Sequence, residues 1–208
     1  MRILIADDHE VVRQGLKEIL TRHLGRVEFA EARTAGETIE SARAGTWDIV
    51  LLDLNLPDRS GLDVLKQLKA FCPRLPILVL SVNPEDVYAL RVLKAGASGY
   101  LNKESASEEL AGAVKKVVAG GTHVGPAAAE KLAASVRYPS KSLPHELLSD
   151  REFEILRPLV AGKSVKEIAA DLSISVKTVS THHMRILHKM DLHNDAELVR
   201  YALEHRLA

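Results

Sequence analysis

Asp53 closes the run IVLLD (49–53), and Asp7 with Asp8 closes RILIADD (2–8). Each run is apolar until its acidic end: Ile49 to Leu52 in one, Ile3 to Ala6 in the other. A short continuous apolar run bounded by turn residues, here Pro57 and Gly61 after the first, reads as a strand buried on both faces. In an open parallel sheet the ligand crevice lies beyond the carboxyl ends of the strands. If the two strands are neighbours, three carboxylates meet on one rim. They repel one another unless a cation shares them, and hard carboxylate oxygens suit Mg²⁺. An isolated Asp after a strand is more often a helix cap or turn former. Two such runs in one chain point to a site.

Two further polar residues stand at strand ends. Ser81 closes ILVLS (77–81), and Lys103 follows GYLN (99–102), which contains Tyr100. Asp7, Asp8, Asp53, Ser81, Tyr100 and Lys103, in this order, resemble the receiver domain of two-component response regulators over roughly residues 1–120. The resemblance implies that Asp53 is the phosphoacceptor and that a sensor histidine kinase supplies the phosphoryl group. It implies Mg²⁺ held by Asp8, Asp53 and the backbone carbonyl of Asn55, with Asp7 nearby. Lys103 is then expected to pair with the phosphoryl oxygens. Ser81 is the switch hydroxyl that moves to bond one of them, and Tyr100 the switch aromatic that enters the space Ser81 leaves. One departure is Glu104, which stands where many receivers have proline.

The elements that must position these residues alternate five times over the first 120 residues. Helices are expected at about 10–24, 35–44, 61–71, 85–95 and 107–119, each following a strand. In the first, Val11, Val12, Leu16, Ile19 and Leu20 form the apolar stripe. Asn83-Pro84 reads as an N-cap with proline at the first helical position, and Ser105 with Glu108 as a capping box. Strands alternating with helices imply right-handed crossovers and a parallel sheet. The expected class is an α/β doubly wound, flavodoxin-like, five-stranded receiver.

Residues 121–148 read as a connecting helix, PAAAEKLAASV (126–136), followed by a linker over 137–147 punctuated by Pro139 and Pro144. Residues 149–208 show no strand pattern. Ser149 with Glu152 and Ser164 with Glu167 start two helices, and Gly162 suits the end of the first. After the short connection Ser173-Ile174-Ser175 a third helix runs from Val176 to Met190, and a fourth covers 195–206. Two short helices joined by a brief turn are a helix-turn-helix. The segment KEIAADLSISVKTVSTHHMRILHKM resembles the LuxR-type helix-turn-helix of NarL/FixJ-class regulators, a small all-α four-helix domain over 149–208. Val179, His183, Ile186, Leu187 and Met190 fall on the stripe expected to face its core. Lys177, Thr178, Ser180, Thr181, Met184, Arg185 and His188 are expected to contact the major groove of double-stranded DNA. Two departures stand out: Pro158 lies inside the first of these helices, and Asp191 occupies the place where the family usually has glycine.

Charge gives little support to DNA binding. The chain has 28 Lys+Arg and 28 Asp+Glu, and residues 145–208 alone contain nine and ten. Attraction to phosphate must therefore come from local placement. The single cysteine, Cys72, excludes an internal disulfide and suits a reducing cytosol. No apolar run approaches the ~20 residues of a membrane span, and Asp7-Asp8 comes too early for a signal peptide. A cytoplasmic chain is expected.

The whole reads as a response regulator and transcription factor, not an enzyme. Phosphorylation on Asp53 is expected to promote a homodimer that binds DNA in a sequence-specific way, with RNA polymerase a further possible partner. A metal-dependent phosphoesterase built on Asp7-Asp8-His9 lacks the further histidine clusters and leaves Ser81 and Lys103 unexplained. The alternative is a DNA-binding regulator whose receiver serves mainly as an unphosphorylated dimerisation module.

Overall fold

The computed structural model describes residues 1–137, 143–172, 174–205 and 207. They fall into two units, Met1–Val136 and Arg137–Ala208. The first is built on five parallel strands, β1 (Arg2–Ala6), β2 (Glu28–Ala32), β3 (Ile49–Asp53), β4 (Ile77–Ser81) and β5 (Gly99–Asn102), in the spatial order β2-β1-β3-β4-β5. Helices α1 (Glu10–Leu24), α2 (Ala35–Ala44), α3 (Gly61–Phe71), α4 (Glu85–Lys94) and α5 (Ala106–Val118) alternate with them. This is the doubly wound sheet expected from the sequence.

The central strands are apolar throughout because both of their faces are covered. Successive side chains of a strand point to opposite faces. Thus Leu4, Val50, Leu52, Ile77 and Val79 pack with residues of α2, α3 and α4, while Ile3, Ile5, Ile49, Leu51, Leu78 and Leu80 pack with residues of α1 and α5. Truncating any of these fully buried leucines or isoleucines to alanine costs about 2–5 kcal/mol.

Three local expectations are corrected. On α1 the buried face is Arg13, Leu16 and Leu20, whereas Val11 is 85% exposed. Helix α4 begins at Glu85 as expected, but Pro84 itself is the N-cap rather than the first helical residue after an Asn83 cap. Ser105 caps nothing with its side chain, because its hydroxyl donates to the carbonyl of Asn102 at 3.2 Å.

The expected connector is shared between the two units. Residues 121–136 belong with the first. The N–H of His123 donates to the Ser98 carbonyl at 3.2 Å, and the Tyr100 N–H donates to the His123 carbonyl at 2.8 Å, so this stretch runs parallel beside β5. The N–H of Gly125 donates to the Glu85 carboxylate. Helix α6 (Pro126–Arg137) buries Ala128 in the core shared with α4. Residues 138–142 of the expected linker, and Ser173 of the helix-turn-helix connection, lie outside the described residues.

In the second unit a 3-10 turn (Pro144–Leu147) precedes α7 (Asp150–Val160), α8 (Val165–Asp171), α9 (Val176–Met190) and α10 (Asp195–Glu204). His145 of the turn is buried and its Nδ1 lies 2.9 Å from the Tyr201 hydroxyl. Both expected capping boxes form: Ser149 and Glu152 on α7, Ser164 and Glu167 on α8. Each satisfies two backbone N–H groups that a helix start leaves unpaired. Pro158 sits inside α7, which ends two residues later. Among the described residues, no helix is long and apolar enough to cross a membrane.

Candidate phosphoacceptor site and nucleic-acid interface

Strand order explains why the acidic residues meet. The chain leaves β1 toward β2 on one side, while β3 leads to β4 on the other, so the connections after these two neighbouring strands run in opposite directions. Such a switch point opens the crevice of a doubly wound sheet. Ala6 is in register with Leu52, which places Asp7 beside Asp53. Ligand atoms of Asp7, Asp8, His9 and Asp53 all lie within 4.8 Å of one another. Asp7 and Asp53 are buried, whereas Asp8 opens to solvent, its side chain 34% exposed.

Lys103 holds this cluster together. Its Nζ donates to Asp53 Oδ2 at 2.6 Å and to Asp7 Oδ2 at 2.7 Å. Burial alone would lower the lysine, but the bonds and charges of Asp53 and Asp7 outweigh it and hold the ammonium above its ordinary 10.5. Burial pushes the Asp53 carboxyl above its ordinary 3.8, against the pull of Lys103 and of the Asn55 N–H. That N–H donates to Asp53 Oδ1 at 3.1 Å, which fixes the loop after β3 over the site. Three carboxylates, two of them buried, with one ammonium among them fit a hard divalent cation such as Mg²⁺.

Ser81 and Tyr100, the two residues expected to act as the switch, lie on β4 and β5. Ser81 is fully buried at the end of β4, and its Oγ accepts the Asn83 N–H at 3.1 Å. The Lys103 N–H donates to the Ser81 carbonyl at 2.9 Å, tying the two strand ends together. Tyr100 is already fully buried, its hydroxyl donating to the Asn83 carbonyl at 2.6 Å.

Sequence reasoning missed several supporting residues. Arg13, 1% exposed, donates from Nη1 to the Asp7 carbonyl at 2.8 Å and from Nε to Glu31 at 2.7 Å. The signal was available, since Arg13 precedes Leu16 and Leu20 by three and seven, the spacing of one helix stripe. His9 donates its N–H to Asp7 Oδ1 at 2.8 Å, and its Nδ1 lies 2.7 Å from Asp8 Oδ1. Asp58, in the loop after Asp53, accepts the N–H groups of Ala35 and Gly36 at 2.7 and 3.1 Å and so anchors the start of α2. No sequence pattern distinguishes that carboxylate from an ordinary turn residue.

In the second unit, α9 presents the expected surface. Lys177, Ser180, Thr181, Met184, Arg185 and His188 are exposed, and Val179, Ile186 and Met190 are buried. His183 and Leu187 are only half-buried, and His183 Nε2 lies 2.6 Å from Asp195 Oδ1 rather than in the core. Thr178 is half-buried at the cap, its N–H bonded to Ser175 Oγ at 3.0 Å and its Oγ1 2.7 Å from the same hydroxyl. Lys189 is tied to Glu152 of α7 at 2.7 Å. The helix ends at Asp191 in the left-handed conformation, φ 55° and ψ 46°, where glycine was expected by resemblance.

A parallel five-stranded sheet with an acid–lysine crevice at its switch point, and a separate helix-turn-helix unit, define a receiver joined to a DNA-binding domain. Residues 3–115 match the family described as the response regulator receiver domain, and residues 146–202 match the bacterial regulatory proteins of the luxR family. The chain belongs to the response regulators of this two-domain, LuxR-type class, a family of transcription regulators rather than enzymes. The response regulator UvrY of Escherichia coli O6:H1 is 33% identical over 208 residues, covering 100% of this chain and 95% of UvrY. The response regulator GacA of Pseudomonas viridiflava is 33% identical over 206 residues, 99% of this chain and 96% of GacA. Among solved structures, RcsB of Salmonella enterica serovar Typhimurium, bound to promoter rprA in the presence of the phosphomimetic BeF3⁻, is similar with a TM-score of 0.67 and 25% identity over 97% of each chain.

Proposed function

We propose that this protein is a cytoplasmic transcription regulator switched by phosphorylation of Asp53. The observation that carries the reading is the Lys103 ammonium shared by Asp53 and Asp7 at the sheet's switch point. A sensor histidine kinase presents a phosphohistidine, and Asp53 attacks phosphorus as a carboxylate nucleophile. A P–O bond forms, the P–N bond breaks, and the imidazole leaves with the electron pair. Asp8, Asp53 and the Asn55 carbonyl, with Asp7 beside them, are the groups that would hold Mg²⁺. When bound, that ion offsets the charge of the transferring group.

Lys103 then exchanges its Asp53 carboxylate partner for a phosphoryl oxygen. Ser81 turns its hydroxyl from the Asn83 N–H toward a second oxygen. Two charge-assisted hydrogen bonds are worth about 3–6 kcal/mol together. Moving a population from 1:99 to 99:1 needs about 5.5 kcal/mol. The site can therefore drive a switch of that size. Because Tyr100 is already buried, the change starts at Ser81, Asn83 and the start of α4. Its output is a homodimer whose α9 helices read two half-sites in the major groove of DNA, with RNA polymerase as the downstream partner.

Incubation with acetyl phosphate and Mg²⁺ tests the chemistry. The chain should retain one phosphoryl group, and Asp53→Asn none. A chain that turns the donor over catalytically is an enzyme, and one that takes up no phosphate has a receiver that serves only as a dimerisation module. Either result contradicts the proposal.

A further inference from the structure

We propose that Met184 reads the C5-methyl group of a thymine, so that base recognition by α9 is apolar at its centre and polar at its ends. The inference rests on the DNA-binding reading above and adds the chemistry by which bases are told apart.

Met184 is 73% exposed, the most exposed of the large apolar side chains described in residues 143–205. Exposure of a single apolar residue alone argues nothing; its neighbours do. On an α-helix, positions 177, 181, 184 and 188 form one stripe about 16 Å long. Lys177 and His188 stand at its two ends, with Thr181 and Met184 between them and Arg185 exposed alongside. Residues 176–190 contain no acidic side chain to repel DNA.

The hydroxyls at the centre of this face point back into their own helix. Ser180 Oγ donates to the Val176 carbonyl at 3.0 Å, and Thr181 Oγ1 donates to the Lys177 carbonyl at 2.9 Å. Each O–H donor is thereby occupied. What remains for a base edge is an acceptor lone pair, the threonine methyl and the methionine thioether. Of the four bases in the major groove, only thymine offers an apolar group, the C5-methyl. The unbranched, polarisable methionine side chain adapts to such a contact without a fixed rotamer. Thr181 and Met184 are about 4.5 Å apart along the axis, so they cover one or two adjacent base pairs.

The experiment replaces each thymine of a selected operator by deoxyuridine, which keeps the O4 acceptor and loses only the methyl. The operator is first obtained by binding-site selection with the full phosphorylated chain. Wild type should then lose about fourfold in affinity at one or two adjacent thymines, the value of one buried methyl at about 0.8 kcal/mol. Met184→Ala should bind the unmodified operator about fourfold more weakly and show no further loss at those uridines. Met184→Leu should keep the wild-type sensitivity. The exposed position lets all three chains fold, which circular dichroism verifies. Uridine tolerated at every position, or uridine sensitivity kept by Met184→Ala, overturns the proposal while leaving DNA binding intact. A wild type that selects no preferred sequence overturns the DNA-reading function itself, and this proposal with it.

Discussion

Lys103 Nζ lies 2.6 Å from Asp53 Oδ2, the contact that the proposed phosphorylation of Asp53 would replace. Lys103→Ala removes the ammonium but none of the carboxylates, so Mg²⁺ binding measured by calorimetry should persist. The gain in operator affinity on adding acetyl phosphate should shrink by about 10–100-fold, the loss of one charge-assisted bond worth about 1.5–3 kcal/mol. An undiminished gain would show that the lysine does not sense the phosphoryl group.

Gly61 is required by the close approach of α3 to the end of β3. A Cβ there would sit 2.2 Å from the Asp53 carbonyl and 2.5 Å from the Leu54 Cα, both backbone atoms that cannot swing away. Gly61→Ala should destabilise the receiver by at least about 1–3 kcal/mol. Denaturant unfolding measures the loss, and phosphate uptake should slow in parallel. Wild-type stability in this variant would contradict the packing described.

Glu152 gives the helix-turn-helix unit an acid-sensitive anchor. It is 3% exposed and accepts from the Lys189 Nζ and the Ser149 N–H, both at 2.7 Å. Burial raises this carboxyl, but the bonds from Lys189 and Ser149 outweigh it and hold it below its ordinary 4.5. A depressed carboxyl contributes stability that is full above the unfolded value and is lost as pH falls through the folded value. Melting of the second unit should therefore drop below about pH 4.5. Glu152→Gln should lose about 1–3 kcal/mol at neutral pH and flatten that acid limb. Equal acid sensitivity in both proteins would assign it to another group.

Asp191 tests the end of α9. It is the one non-glycine residue with positive φ among those described. Glycine adopts this conformation without the Cβ penalty. Asp191→Gly should stabilise by about 0.5–1 kcal/mol, read as a higher denaturant midpoint at unchanged slope. Asp191→Val should do the opposite.

Much of this was legible in the sequence because the signals are local. Apolar runs that end in Asp, Ser and Lys marked β1, β3, β4, β5 and the rim but not β2, whose EFAEA is no such run, and the S-x-x-E pairs marked two helix starts. What stayed hidden depends on contacts distant in sequence. Arg13 reaches Glu31 and the Asp7 carbonyl only once β2 lies beside β1, so its spacing marks a helix face but not its partners. Residues 121–136 read as a connector because Gly120-Gly121 breaks the pattern. Nothing local reveals that His123 aligns with the backbone of Gly99 and Tyr100. Ser105 shows the limit of motif matching, for its hydroxyl found the Asn102 carbonyl before the N–H three residues on.

The central claim is that a phosphoryl group on Asp53 strengthens operator binding. Operator affinity of the full chain, measured with and without acetyl phosphate and Mg²⁺ beside Asp53→Asn, tests it most directly. Wild type carrying one confirmed phosphoryl group should bind at least about tenfold more tightly, a change of about 1.4 kcal/mol, while Asp53→Asn does not respond. Equal affinity of the phosphorylated and unphosphorylated wild type, or the same gain in Asp53→Asn, would contradict it.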